Sequence, residues 1–537
     1  MKKRLLFSIV LFQFMAYAQE EHAWVYLIDK ENVAASIANP ISILTQNAID
    51  RKVAKNIPID ERDVPVNENY ITQLKNQTGI TVMAKSKWFN AVYVIGLETD
   101  ITTLETLDFV EFIDFADKSL NSESRIALDN NKFEIEESLI NFDYGSAQNQ
   151  VEMIGVDHLH VSDYTGEGIV IAVLDSGFPN VDTMGAFQRL RDNSDLLGGY
   201  DFVNRNNNVF EYTGNQHGTN VLSDMAGFIQ DEFVGTAPDA SYYLFRTEDA
   251  SSEMPVEESY WVEAAERADS LGVHIINSSL GYRVFDNENY SYTPNDMNGN
   301  TAFITKGANI ANEKGILVVN SAGNSGATSW QTVGAPADGS GVFSIGAVDV
   351  EGNYASFSSQ GNLTQPTQKP DVVAQGSGSL VINSNNEIVN NNGTSFSSPI
   401  LAGAMASLKQ ALPDASNEEL KQFVRMSASQ FSTPDFLLGY GIPNFELALD
   451  IGLSLSEEEF VRFKIFPNPV INSLNIQIPV STEATNLKIY NVLGKLILEK
   501  DLMQSETNLD VSSMASGIYM MSFQSSKGLK TFKLIKS

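Results

Sequence analysis

Residues 169–177 read Ile169-Val170-Ile171-Ala172-Val173-Leu174-Asp175-Ser176-Gly177: six apolar residues in a row, then a carboxylate, a hydroxyl and a glycine. An uninterrupted apolar run of this length predicts a strand covered on both faces, the signature of a parallel sheet. Similar runs recur at Val273–Ile276, Ile316–Val319 and Val342–Val348, with helical segments at Pro255–Leu271 and Ala302–Lys314 between them. This β-α-β alternation predicts a doubly wound, mostly parallel α/β sheet. A helix rich in small residues is expected over Ser397–Leu412, and Ser416 with Glu419 forms a capping box for another beginning near Asn417.

The pattern changes on both sides of this region. Upstream, strand signals at Trp24–Ile28, Trp88–Leu97 and Val110–Phe115 mix with helical ones at Ser42–Lys55, Glu68–Gln77 and Thr99–Leu107, which fits a small α+β unit. Residues 118–142 are polar and acidic and read as an exposed linker. Downstream of Glu457-Glu458-Glu459, short alternating strands (Leu474/Ile476/Ile478, Leu487/Ile489, Ile518/Met520, Phe532/Leu534) separated by turn signals suggest a small β-sandwich. At the start, Lys2-Lys3-Arg4, an apolar stretch from Leu5 to Met15 and Ala16-Tyr17-Ala18 have the order of a secretory signal peptide cut after Ala18. The expected divisions are therefore 1–18, 19–142, 143–451 and 462–537.

Net charge is −32, and residues 143–459 alone carry −29. Such a field disfavours nucleic acid and anionic membrane as partners. The absence of cysteine excludes disulfides, thiolate metal sites and a lipidated cysteine anchor, so an exported chain of this kind depends on core burial.

Acyl transfer to a serine needs a base beside the hydroxyl, a carboxylate orienting that base, and donors for the developing oxyanion. Asp175 closes a buried strand at the sheet edge where α/β sites form, although an Asx turn reads the same way locally. His217, in His217-Gly218-Thr219-Asn220, is the one histidine of five followed by glycine; a structural histidine is an equal alternative. Ser395 lies in Gly393-Thr394-Ser395-Phe396-Ser397-Ser398-Pro399, with Pro399 expected in the first turn of the following helix. Its hydroxyl then sits at a helix N-terminus, where Thr394, Ser395 or Ser397 could equally serve as the cap. Asn324 follows a buried strand in Ala322-Gly323-Asn324-Ser325-Gly326, where it could donate to an oxyanion or simply make a turn.

Taken in chain order, Val173-Leu174-Asp175-Ser176-Gly177, His217-Gly218-Thr219, Asn277-Ser278-Ser279-Leu280-Gly281, Ala322-Gly323-Asn324 and Gly393-Thr394-Ser395 resemble the motifs of the subtilisin-like serine proteases, or subtilases. The resemblance implies that Asp175 orients His217, His217 is general base and then acid, Ser395 is the nucleophile and Asn324 stabilises the oxyanion. It also implies that Ser279, Leu280 and Gly281 form an edge on which an extended peptide pairs. Asn220 departs from the family, which often has a second histidine there, and altered packing is expected. Gly439-Tyr440-Gly441-Ile442-Pro443-Asn444 resembles the segment that closes the catalytic domain, placing its end near Ile451.

Residues 19–142 resemble a subtilase propeptide, which assists folding and blocks the cleft until it is cut within about ten residues of Asp143. The C-terminal stretch, with Phe466-Pro467-Asn468-Pro469, Tyr490-Asn491-Val492-Leu493-Gly494 and Gly517-Ile518-Tyr519, is similar to the sorting domain of the Bacteroidetes type IX secretion system. The combined expectation is a secreted or cell-surface serine endopeptidase made as a zymogen and exported through periplasm and outer membrane. Its partners are protein or peptide substrates, its own propeptide as inhibitor and the secretion machinery. Alternatives are a catalytically silent surface-binding protein on the same fold and an esterase. No cofactor is implied; the Asn204–Asn208 loop could bind calcium but lacks a diagnostic ligand spacing, so no metal site is assigned.

Overall fold

Four antiparallel strands open the described chain: β1 (Glu20–Leu27), β2 (Thr81–Ser86), β3 (Ala91–Leu97) and β4 (Val110–Phe115), ordered β2-β3-β1-β4. The computed structural model describes residues 20–121, 142–461, 464–477, 485–491, 495–502, 506–525 and 528–537. The signal segment and nearly all of the acidic linker lie outside them. The helices that accompany the sheet include α1 (Gln46–Ala54) and α2 (Glu68–Lys75), with shorter ones at Val33–Ala38 and Glu98–Thr103. Helix α1 starts at Gln46 rather than Ser42 because Thr45 caps it, accepting the Ala48 N–H at 3.2 Å, while Pro40–Ser42 forms a separate 3-10 turn.

Seven parallel strands form the central sheet: β5 (Val170–Asp175), β6 (Leu196–Asp201), β7 (Ser241–Arg246), β8 (Ile275–Ser278), β9 (Leu317–Ser321), β10 (Val342–Val348) and β11 (Val372–Gln375). Their order is β11-β10-β9-β8-β5-β7-β6, with every neighbouring pair parallel. The strand that opened the sequence reading, β5, lies between β7 and β8, where the chain switches from one side of the sheet to the other. Ligand crevices of open α/β sheets form at the carboxyl end of such a switch point.

The apolar run of β5 serves two cores at once. Ile171 and Val173 pack with α3 (His217–Ala226) and α6 (Thr394–Ala411), whereas Ala172 and Leu174 pack with α4 (Val256–Leu271) and α5 (Phe303–Glu313). Helix α6 comes close to its neighbours because its residues are small. A Cβ at Gly403 would stand 2.1 Å from Thr236 Oγ1, so only glycine fits there. The predicted helix after Ser416 is α7 (Asn417–Ser427), with Glu419 N–H on Ser416 Oγ at 3.1 Å. The following helix, α8 (Phe445–Val461), runs through Ile451 without a break.

The N-terminal unit packs on the α4/α5 face of this sheet. On β1, Ala23, Val25 and Leu27 face the unit's own core, and Trp24 on the opposite face joins the α4/α5 core together with Tyr93 of β3. Trp24 stacks on Phe303 of α5, with ring centroids 4.5 Å apart. A buried ionic cluster lies alongside. Asp269 at the end of α4 receives Arg51 (2.5 Å) and Lys52 (3.0 Å) from α1, and Lys314 just beyond α5 reaches Asp60 and Asp63, both at 2.9 Å. Lys52 also reaches Asp63 at 3.0 Å, joining the two halves of the cluster.

The C-terminal region holds two antiparallel sheets, of three and four strands, over a shared core that includes Leu474, Leu487, Ile489 and Leu534. One expected inward face is reversed. Ile518 and Met520 are exposed while Tyr519, Met521 and Phe523 are buried, because Tyr519 pairs with Leu534 and Met521 with Phe532, and a shift of one residue exchanges the faces of a strand.

Candidate active site

Three of the sequence candidates converge at the carboxyl edge of the sheet. Asp175 is the last residue of β5 and fully buried; its Oδ1 accepts from the Ser176 N–H at 2.7 Å and from His217 Nδ1 at 2.8 Å. His217 is the first residue of α3, its N–H held by Asn215 Oδ1 at 2.8 Å. A Cβ at Gly218 would lie 2.6 Å from the Gly177 carbonyl oxygen and 3.0 Å from Asp175 Cβ. Glycine after the histidine is thus what lets the helix start against the Asp175 turn. Burial works against the imidazolium, but the charge and hydrogen bond of Asp175 outweigh it and raise the His217 pKa above its ordinary 6.5.

Ser395 stands in the first turn of α6, which begins at Thr394, three residues earlier than expected. None of Thr394, Ser395 and Ser397 is the cap; Gly393 holds that position without a side-chain bond. Pro399 accordingly falls in the second turn. Proline has no N–H to give the carbonyl four residues back, which here is that of Ser395. The hydroxyl of Ser279 takes that carbonyl instead, at 2.8 Å. This bond ties the Ser279-Leu280-Gly281 segment, which continues from β8, to the start of α6. The Ser395 hydroxyl is turned towards the Ser279 carbonyl oxygen, 3.5 Å away, while Phe396 places its ring 5.8 Å from that of His217.

Asn324 follows β9 and has a fixed amide orientation. Its Oδ1 accepts from the Thr394 N–H at 2.9 Å and from Thr394 Oγ1 at 3.0 Å, which leaves the Nδ2 hydrogens to point outward. Thr394 Oγ1 in turn accepts from the Gly323 N–H at 3.1 Å. From sequence Thr394 reads only as a cap; its part in aiming Asn324 depends on a contact seventy residues away in sequence, which no local pattern reveals. Leu280 is fixed from below, its carbonyl accepting from Asn320 Nδ2 at 2.9 Å. Asn220 is buried on α3, and among the described residues its Oδ1 has no partner.

A pocket of about 210 Å³ opens beside Ser395 and Asn324, with Ser279, Leu280 and Gly281 along one wall. That is smaller than the roughly 300–1,000 Å³ of small-molecule sites and suits a single side chain.

A seven-stranded parallel sheet with Asp, His and Ser gathered at its carboxyl edge defines the class of subtilisin-like α/β serine proteases. The subtilase family profile (peptidase S8) matches residues 166–441, and the chain belongs to that family. The profile of the peptidase S8 propeptide domain of Bacteroidota matches residues 22–132, and that of the secretion system C-terminal sorting domain matches residues 464–537.

Subtilisin Savinase of Lederbergia lenta is 31% identical over 290 residues, covering 54% of this chain and 93% of that protein. An alkaline protease of Alkalihalobacillus alcalophilus is 31% identical over the same length, and the match spans 66% of it. Subtilisin DY of Bacillus licheniformis is 30% identical over 301 residues, 97% of its length and 56% of this chain. In fold, the chain is similar to the epidermin leader peptide processing serine protease of Staphylococcus aureus, with a TM-score of 0.51 at 14% identity over 81% of this chain and 98% of that one.

Proposed function

We propose that the chain is a secreted serine endopeptidase made as a zymogen, cutting peptide bonds through an acyl-enzyme on Ser395. The observation that carries this reading is the 2.8 Å contact between His217 Nδ1 and the fully buried Asp175 carboxylate, with Ser395 in the first turn of α6, next to the Phe396 ring that lies 5.8 Å from the His217 ring. The carboxylate holds the imidazole with Nε2 free to act as base. Rotation of the Ser395 hydroxyl from the Ser279 carbonyl towards Nε2 lets His217 take the proton as Oγ attacks the substrate carbonyl. The negative charge then develops between Asn324 Nδ2 and the Ser395 N–H, an unpaired donor of the first helical turn. His217 returns the proton to the leaving amine, and water releases the acyl group by the same steps.

Residues along Ser279–Gly281 align the peptide by backbone pairing. The propeptide-like unit on α4 and α5 is the inhibitor, removed by a cut near Asp143. The sorting domain indicates export; passage through the type IX system with loss of that domain completes the reading. A fluorophosphonate probe should label Ser395, and Ser395→Ala should abolish labelling and lower peptide cleavage by the roughly 10⁶-fold that loss of the nucleophile costs subtilisin itself. Labelling that survives in the variant overturns the assignment.

A further inference from the structure

The pocket beside Ser395 is polar in an unusual way for its surroundings. Ser321, Ser325 and Ser359 present hydroxyls, Leu280 is its one apolar side chain, no carboxylate lines it, and one cation does: Arg283. Arg283 is half-buried two residues beyond the Ser279–Gly281 edge. Its guanidinium carbon lies 5.9 Å from the ring centre of Trp330, which stands outside the lining, so an aromatic face and, among the described residues, no carboxylate partners the charge.

Most cations of this acidic domain are already paired, Arg189 with Asp239, Arg205 with Glu263, Arg246 with Asp201, and Arg425 and Lys369 with Asp371. Among the described residues Arg283 has no ion pair; Glu253 feels its charge only from beyond pairing distance. An unpaired guanidinium over a pocket of hydroxyl donors is a complement to an anion.

We propose that Arg283 makes this pocket selective for an acidic side chain, so that the enzyme cuts after glutamate or aspartate. The inference rests on the proposed protease reading, because the carbonyl under attack lies between Ser395 and Asn324, and the residue that owns it is the one nearest the pocket. The chain's own linker supports it independently. Between Asn121 and Tyr144 it offers Glu123, Asp129, Glu134, Glu136, Glu137 and Asp143, four of them within ten residues of the expected processing point.

The test uses full-length chain allowed to process itself, and peptides that differ only in the residue before the scissile bond: Glu, Gln, Leu or Lys. The expected kcat/KM for Glu exceeds that for Gln by roughly 10-fold, between the few-fold effect of an exposed ion pair and the approximately 100-fold effect of a desolvated charged hydrogen bond. The ratio should shrink with added salt. Arg283→Gln should bring it to about one, and Arg283→Glu should place Lys above Glu. Mass spectrometry of the processed chain should show cuts after acidic linker residues. A wild-type preference for Leu, or a Glu/Gln ratio unchanged in Arg283→Gln, overturns the pocket inference alone. No cleavage of any peptide, with no fluorophosphonate labelling at Ser395, overturns the protease reading beneath it.

Discussion

The two faces of the central sheet are built from the same strands and finished by opposite means. On the α3/α6 side, small residues let helices approach until hydrogen bonds of 2.7–3.0 Å can aim Asp175, His217 and Asn324. On the α4/α5 side, the ionic partners are shared across the contact: a second folded unit supplies Arg51 and Lys52 to the buried Asp269, and Asp60 and Asp63 to Lys314. One face is complete within its own domain, whereas the other is completed by the propeptide region. The candidate site and the contact with the N-terminal unit thus draw on opposite faces of one sheet. A substitution on one side should leave the function of the other in place.

The largest break is expected at Asp269, the carboxylate shared by Arg51 and Lys52. Removing one partner of a buried ionic group costs about 3–5 kcal/mol; here Lys52 keeps Asp63, and Arg51 is the cation left buried without a carboxylate. Asp269→Asn should therefore loosen the hold on the cut propeptide by at least about 10²-fold, read as recovery of activity on dilution. Turnover per labelled active site should not move. Equal retention in the variant and the parent would show that the Lys314 pairs with Asp60 and Asp63, together with the apolar contacts of Trp24 and Tyr93, hold the unit without Asp269.

The reverse break lies at Asn324. Replacing it with Leu removes the outward Nδ2 donor while Thr394 keeps its own helix-start position, and turnover should fall by roughly 10²–10³-fold, the size seen for the equivalent donor of subtilisin. Propeptide retention should be unchanged. A normal rate would place the oxyanion donor elsewhere.

This division explains what could be read in advance. The strands β5 and β10 were legible because both faces are covered, so their apolar runs have no gaps. Strand β6 was not: it is the sheet's edge, Leu196-Leu197-Gly198-Gly199 is only partly buried, and two glycines imitate a turn. The helix start at Thr394 was misplaced because Pro399 signals a first turn, and the substitute partner of the Ser395 carbonyl, Ser279, is 116 residues away. The triad candidates were recognisable by motif and order. Arg283, Thr394 and the Lys52–Asp269 pair were not, since a charged or hydroxyl residue reads as surface until the fold brings its partner.

The smallest expected effect sharpens the contrast most, because the two faces titrate in different windows. Asp269 is buried, which would raise its pKa, but Arg51 and Lys52 hold it down at about 2, below the ordinary 3.8. A depressed carboxylate contributes stability that is present above its ordinary pKa and lost as pH falls through the lowered one, so the ionic cluster should fail between about pH 4 and 2. Glu266, also on α4, accepts from the Lys87 and Trp88 N–H groups at 2.9 and 3.0 Å, and burial pushes it up to about 7. Its contribution is fully present below the ordinary 4.5 and is lost as pH rises from there through about 7, so retention of the propeptide should be greatest near pH 4 and fall between about pH 4.5 and 7.

His217 behaves in the opposite sense for catalysis. Its raised pKa means that the histidine–carboxylate pair stabilises the fold below pH 6.5 and loses that contribution as pH climbs through the raised value, while the neutral base needed for attack appears over the same climb. The acid limb of kcat/KM should therefore have its midpoint above 6.5, at the upper end of the range over which Glu266 weakens the propeptide contact. The same rise in pH would then release the outer face and switch on the inner one. A limb centred below 6.5, or propeptide retention that is flat from pH 4 to 8, would uncouple the two faces.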